Sequence, residues 1–134
     1  MLNFTFSKQE RLCSRRTIEA LFHTGHRLMV FPYSVSWMLL PHDQQVPAPA
    51  QVLITTSKRK FHHAVDRNRV KRLTRECYRL RKPQFYDFLQ ERQLSIALSF
   101  NYIHNEIMDY ETLSHKFDKL IAQLESAIQK TVSE

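Results

Sequence analysis

A group of cationic side chains between residues 64 and 79 is the part of this sequence with the clearest chemistry. The stretch AVDRNRVKRLTRECYR contains six basic and two acidic residues, while apolar residues recur through it at helical spacing. A helix with such a face can bind an anion, because the planar fork of arginine suits bidentate contacts with phosphate. The six basic residues are Arg67, Arg69, Lys71, Arg72, Arg75 and Arg79.

On a helical wheel at about 100° per residue, this stretch separates into an apolar arc and a cationic arc. Lys71 with Arg75, and Arg75 with Arg79, are like-charged pairs four residues apart and mildly destabilise a helix. Glu76, which we pair with Arg72, cannot neutralise the row. A solvated helix face usually mixes the two signs, so the row favours a bound anion. The apolar arc holds Val70, Leu73, Cys77 and Leu80, and the other arc holds Asn68, Lys71, Arg72, Arg75 and Arg79.

The positive charge of the chain is confined to one segment. The 134 residues carry a net charge of +7, but residues 58–82 alone hold eleven basic and two acidic side chains, whereas residues 83–134 hold four basic and eight acidic. Such a patch is the electrostatic footprint of a polyanion. A membrane-surface helix would need a broad apolar face, which this narrow arc does not provide. We therefore expect a nucleic acid, with Asn68 able to read a base edge or a 2′-hydroxyl.

Length and composition predict one intracellular, cytoplasmic domain over residues 1–134. Hydrophobic residues make up 43% of the chain, which favours a globular fold. No apolar run approaches the roughly 20 residues of a membrane span, and the first residues lack the order of a signal peptide. Cys13 and Cys77 predict free thiols, since no disulfide framework or zinc spacing is present.

The spacing of apolar and turn residues predicts an α+β sandwich in the order α-β-β-α-β-α, with helices packed on one mainly antiparallel sheet. Gly25 is expected to end the first helix in the left-handed conformation. We expect the strand at 51–57 to run antiparallel beside the strand at 33–40. An additional strand near 28–31 is an open alternative. The predicted elements are a helix at 14–24, strands at 33–40, 51–57 and 94–102, the basic helix at 64–82, a short amphipathic piece after Pro83, a last helix at 111–129, and a loop at 41–50.

The segment AVDRNRVKRLTRE, with TTSKRK just before it, resembles the RNR signature of the bacterial ribonuclease P protein subunit. That signature is an Arg-Asn pair, a Lys-Arg pair and an Arg on one helix, after a strand that ends in a Lys/Arg pair. The stretch FSKQERLCSRRTIEALFHTGHR is similar to the N-terminal region of the same family, so the resemblance covers most of the chain. The matching positions are Arg67, Asn68, Lys71, Arg72 and Arg75, with Lys58 and Arg59 upstream.

The resemblance implies a subunit of an endoribonuclease that removes the 5′ leader from precursor tRNA. It implies that the RNA subunit, expected in a 1:1 complex, holds the catalytic Mg²⁺, so no catalytic or metal-binding residue is assigned to the protein. It also implies a ribosomal protein S5 domain 2-like fold, in which a βαβ crossover carries the basic helix with a left-handed connection. The left-handed connection is expected from the resemblance alone, because chain chirality generally favours right-handed crossovers.

The resemblance further implies two RNA surfaces. By resemblance, a groove of the sheet and first helix holds the single-stranded leader. Its candidate residues are Ile18, Phe22, Tyr33 and Trp37, with Lys58 at its rim, and aromatic platforms beside cations suit single-stranded RNA. A place in the core is an equally open interpretation of the three aromatic residues. The surface for the catalytic RNA is expected to contain Lys58, Arg59, Arg67, Asn68, Arg69, Lys71, Arg72, Arg75 and Arg79.

Two other functions remain open at the level of sequence. One is a ribosomal-type RNA-binding protein with no role in cleavage, against which the spacing of the signature argues. The other is a self-sufficient nuclease that uses histidines and carboxylates. His62 and His63 are poor partners for such chemistry, because adjacent residues of a helix point about 100° apart.

Overall fold

Three helices and four strands make up residues 10–41 and 48–133, the part of the chain that the computed structural model describes. The predicted α+β class is confirmed, and β1 is the additional strand near 28–31. The predicted loop at 41–50 falls mostly on residues 42–47, which lie outside the described residues. In chain order the elements are α1 (Arg15–Thr24), β1 (His26–Val30), β2 (Tyr33–Leu40), β3 (Ala50–Thr56), α2 (Ala64–Glu91), β4 (Ser95–Tyr102) and α3 (Tyr110–Ser133).

The strands form one sheet in the order β1-β2-β4-β3. The pairs β1–β2 and β2–β4 are antiparallel, and β3–β4 is parallel. The predicted antiparallel pairing of the second and third strands is therefore wrong, because β4 lies between them. Strand β4 is buried along nearly its whole length, as expected for a strand with a neighbour on each side. Parallel strands need a long crossover connection, and α2 provides the one between β3 and β4.

The two faces of the sheet are covered by different helices. Helices α2 and α3 pack on a face of large apolar residues that includes Val35, Leu98 and Phe100. Successive side chains of a strand point to opposite faces. Ala97 therefore lies on the face opposite to Leu98, and Met38 lies on the face opposite to Val35. There they contact Leu21 and its neighbours from α1. We refer to this second side of the sheet as the α1 face.

Helix α2 continues through Pro83 to Glu91, whereas the sequence predicted a break near the proline. A proline inside a helix removes one hydrogen bond and disfavours the preceding turn. Here the apolar pattern continues beyond it, and Phe85 and Leu89 are fully buried in the same core as Cys77. Burial of these side chains outweighs the local cost. Leu80, expected in the buried arc, is 42% exposed, because the helix turns Tyr78 and Lys82 to the core instead.

A buried ion pair fixes the N-terminal segment to α2. The Nζ atom of Lys82 lies 2.9 Å from Oε2 of Glu10, and the Tyr86 hydroxyl donates to the same oxygen at 2.7 Å. Two residues later, the Leu12 amide donates to the Val52 carbonyl on β3 at 2.9 Å. The chain is thus held at two points before α1 begins.

The ends of α1 are set by local contacts. The Thr17 amide donates to Oγ of Ser14 at 3.3 Å, which caps the N-terminus. Gly25 follows the helix with extended backbone at φ −71°, so the expected left-handed conformation is wrong. Glycine is still required there, because a Cβ would lie 2.3 Å from the Leu21 carbonyl oxygen.

Candidate nucleic-acid interface

The outer side of α2 presents a row of polar and cationic side chains to solvent. Asn68, Arg69, Arg72 and Arg75 are exposed, and Lys71 is partly buried. The opposite side of the same turns carries Val70 and other buried residues. The helical periodicity of the sequence produces this separation, since burial of one arc on the sheet directs the other arc outward.

Arg67, one of the predicted RNA-binding arginines, has partners within the protein. Nη1 of Arg67 donates to the carbonyl oxygens of Phe61 and His62, at 2.7 and 3.0 Å. This side chain therefore holds the turn that leads into α2, and only part of it faces solvent.

Arg79 forms an ion pair with Glu76, with Nη2 and Oε1 2.5 Å apart. The predicted pairing of Glu76 with Arg72 is therefore wrong. The hydrogen bond from Arg79 lowers the pKa of the Glu76 carboxyl. Since the Arg79 and Glu76 side chains are 32% and 45% exposed, this surface pair contributes little to stability, but it neutralises one end of the row.

Three consecutive basic residues follow β3. Lys58, Arg59 and Lys60 are all exposed, and the turn that carries them is closed by the Phe61 amide, which donates to the Ser57 carbonyl at 3.0 Å. The Lys60 ammonium donates to the carbonyl of Ile103, just beyond β4. Because α2 starts at Ala64, these cations lie near its first turn and extend the positive surface to the end of the sheet.

A strip of polar side chains lies on the part of the α1 face that α1 leaves uncovered. Across β2, β4 and β3, Ser34 is opposite Asn101, and Asn101 is opposite Thr55. The Thr55 hydroxyl donates to Oδ1 of Asn101 at 3.0 Å. From the sequence, the serines at 34 and 36 indicated only that one side of this strand is polar. The structure shows that this polar strip lies beside α1.

The four predicted groove residues do not lie together. Phe22 is 38% exposed on α1, and Ile18 packs between α1 and the sheet. Tyr33 and Trp37 are fully buried on the opposite face, so their assignment to the groove is corrected in favour of the core. Their strand positions alternate with Ser34 and direct both rings toward α2 and α3.

The contacts of the two buried rings support that correction. The Tyr33 hydroxyl lies 2.6 Å from Oγ1 of Thr74 on α2, and the Trp37 ring stacks on His26 at 4.4 Å. Burial raises the pKa of the Tyr33 phenol well above its ordinary value. A leader nucleotide could reach neither ring without opening the core.

The described residues offer no cluster of metal ligands. Within 10–41 and 48–133, no three His, Cys, Asp or Glu side chains lie close enough to hold an ion together. His62 and His63 are exposed where α2 begins. None of the helices in these ranges is long and apolar enough to cross a membrane.

Comparisons with known proteins all identify members of one protein family. The ribonuclease P family model matches residues 6–130. The ribonuclease P protein component of Porphyromonas gingivalis is 36% identical over 121 residues, which cover 90% of this chain and 87% of that protein. The corresponding protein of Petrotoga mobilis is 31% identical over 125 residues, or 91% and 97% of the two chains.

Two solved structures share the fold. The RNase P protein of Staphylococcus aureus matches with a TM-score of 0.68 and 16% identity, over 86% of this chain and 94% of that one. The RNase P protein of Thermotoga maritima matches with a TM-score of 0.64 and 20% identity, over 85% and 96%. The fold of these proteins thus extends over most of the present chain.

Proposed function

Since the chain belongs to the ribonuclease P protein family, we propose that it is the protein subunit of ribonuclease P and assists the RNA subunit in removing the 5′ leader of precursor tRNA. The observation that carries this proposal is the exposed cationic row on α2, on a chain that matches the family over residues 6–130. The protein binds RNA on two surfaces, and each uses a different set of contacts.

The first surface binds the catalytic RNA through the outer side of α2. Arg72 and Arg75 supply cations for phosphates, and Asn68 supplies a neutral donor and acceptor. Lys58 and Arg59 continue the surface around the end of the sheet. Arg67 and Arg79 also belong to this surface, but they are less available to RNA because their guanidinium groups also bind groups of the protein. Release of counterions from the RNA drives such binding, which therefore depends on salt.

The second surface is the cleft between α1 and the polar strip of the α1 face. Phe22 offers an exposed ring on which an unpaired base can stack, and Ser34, Thr55 and Asn101 offer donors and acceptors for sugar or base edges. This arrangement supports binding of the single-stranded leader. Ile18 supports the cleft by packing α1 on the sheet.

The metal ions of the reaction belong to the RNA in this proposal. Mg²⁺ prefers oxygen ligands and is bound by one or two carboxylates with phosphates rather than by protein cages. Within residues 10–41 and 48–133, no carboxylate cluster lies at either surface. A 1:1 complex with the RNA subunit and a cytoplasmic location complete the proposal.

Reconstitution with the RNA subunit tests the first surface. Four or five phosphate contacts predict that the logarithm of affinity falls with the logarithm of salt concentration with a slope of about −3 to −4. Arg72→Ala should reduce the magnitude of the slope by about one contact. Asn68→Ala should lower affinity by roughly 1–3 kcal/mol and leave the slope unchanged. Lys119→Ala, an exposed cation on α3, is the matched control.

Three results would contradict the proposal. A slope near zero would remove the electrostatic basis of RNA binding. Enrichment of ribosomal RNA instead of ribonuclease P RNA in a pulldown would favour a ribosomal role. Cleavage of precursor tRNA by the purified protein without the RNA subunit would favour a nuclease that acts alone.

A further inference from the structure

A pair of aromatic side chains, Phe31 exposed and His104 partly buried, lies at the end of the sheet where β3 and β4 finish. Phe31, in the turn between β1 and β2, is 46% exposed. Its ring centroid lies 5.0 Å from that of His104, which follows β4. The Ile103 amide donates to the Pro32 carbonyl at 2.8 Å, so the two segments that carry the rings are fixed to each other. Neither ring is needed to fill the core of the sheet.

A segment of basic residues lies beside one member of this pair. The Lys60 ammonium donates to the carbonyl of Ile103, the residue before His104. The turn that carries Lys58 and Arg59 therefore packs beside the segment that carries His104. An exposed ring with cations nearby is the arrangement that stacks an unpaired base and balances its phosphate.

The outer strand β1 connects this pair to the cleft at α1. Nη2 of Arg27 donates to the carbonyl of Phe22 at 3.1 Å. Arg27 is opposite Ser36, and Met29 is opposite Ser34, so both point to the α1 face, and Met29 is 63% exposed. Residues two apart on a strand are separated by roughly 6.6 Å. A path of exposed side chains thus leads from Phe22 past Met29 toward Phe31.

We propose that Phe31 and His104 form a second stacking platform for a base of the single-stranded leader, at the end of the cleft opposite Phe22. The proposal rests on the proposed function. Lys58 and Arg59 also extend the surface for the catalytic RNA, but the leader is favoured because the path through Met29 to Phe31 continues the α1 face, whereas α2 packs on the other face. Stacking also requires an unpaired base, which a leader supplies.

The test measures affinity of the reconstituted complex for precursor tRNAs whose leaders are lengthened one nucleotide at a time. For the unmodified protein, affinity should rise with length until the platform is occupied. Phe31→Leu removes the ring and keeps an apolar side chain, and should lose the last part of this rise, about 5- to 100-fold. Phe31→Tyr should retain it. His104→Ala, which removes the other ring, should reproduce the loss in a weaker form.

Phe88→Leu is the matched control. The Phe88 ring also lies beside a cation, with the Arg92 guanidinium carbon 3.9 Å from its centroid, but it belongs to the last turns of α2. This variant should show the unmodified dependence on leader length. A thermal melt accompanies every variant, and if Phe31→Leu does not fold, the comparison of His104→Ala with the unmodified protein decides the matter.

The outcomes separate the two proposals. If the unmodified protein discriminates by leader length and the Phe31 and His104 variants do so equally well, the platform is overturned and the proposed function stands. If these variants lose affinity for the catalytic RNA alone, the pair belongs to the other surface and the inference is wrong. If the unmodified protein shows no dependence on the leader, both the leader cleft and the platform fail.

Discussion

Removal of one partner from the buried Glu10–Lys82 pair should destabilise the protein strongly. The Lys82 side chain is 1% exposed and the Glu10 side chain 6%, so Lys82→Met removes the ammonium group that lies against a buried carboxylate. Breaking a buried pair in this way typically costs about 3–5 kcal/mol. Urea denaturation followed by circular dichroism measures the change in the free energy of unfolding.

The double variant distinguishes loss of the pair from loss of packing. Glu10→Gln with Lys82→Met removes both charges, so its destabilisation should be smaller than the sum of the two single changes by more than about 0.5 kcal/mol. Lys119→Met replaces an exposed lysine of α3 and should change stability by less than about 0.5 kcal/mol. A cost below about 1 kcal/mol for Lys82→Met, or additive single changes, would refute the reasoning.

Two further predictions concern the cleft and the thiols. Phe22→Ala should weaken binding of precursor tRNA relative to mature tRNA by roughly 1–3 kcal/mol, whereas Arg75→Ala should mainly weaken binding of the catalytic RNA. If the Phe22→Ala protein has an unchanged melting temperature and equal affinity for both tRNA forms, Phe22 is excluded from the cleft. Burial raises the pKa of the Cys77 thiol to about 11, so a thiol reagent at pH 8 should modify the exposed Cys13 in the native protein and Cys77 only after unfolding. Rapid labelling of both thiols in the native protein would show that α2 opens.

Local patterns in the sequence were sufficient to predict the α2 surface. Apolar residues at helical spacing define which arc packs on the sheet, and this orients Asn68, Arg72 and Arg75 without any knowledge of the other elements. The strand at 33–40 was predictable for the same reason, because its alternation has a period of two.

The features that depend on distant partners were not predictable. Alternation shows that Tyr33 and Trp37 share a face, but it does not show which helix covers that face, and these two residues were therefore assigned to the groove although they belong to the core. The position of β4 between β2 and β3 is likewise set by burial of the whole sheet. The continuation of α2 through Pro83 follows from packing of Phe85 and Leu89, which outweighs a local rule.

The Glu10–Lys82 pair also connects the elements that carry the two proposed RNA surfaces. Glu10 is bound to α2, and Leu12 is bound to β3, immediately before the chain enters α1. These contacts fix where α1 crosses the sheet, and with it the position of Phe22. Lys82 lies three residues beyond Arg79, less than one helical turn from the end of the cationic row.

A change that loosens this pair would therefore move α1 without altering any cation on the outer side of α2. Buried ion pairs often add little net stability compared with apolar residues of the same volume, and some are retained because they fix one arrangement of the chain. Here the pair fixes the position of α1, and with it the proposed leader cleft, relative to the outer side of α2. Discrimination between precursor and mature tRNA should consequently fall in Lys82→Met before affinity for the catalytic RNA does, when both are measured under conditions in which the variant remains folded.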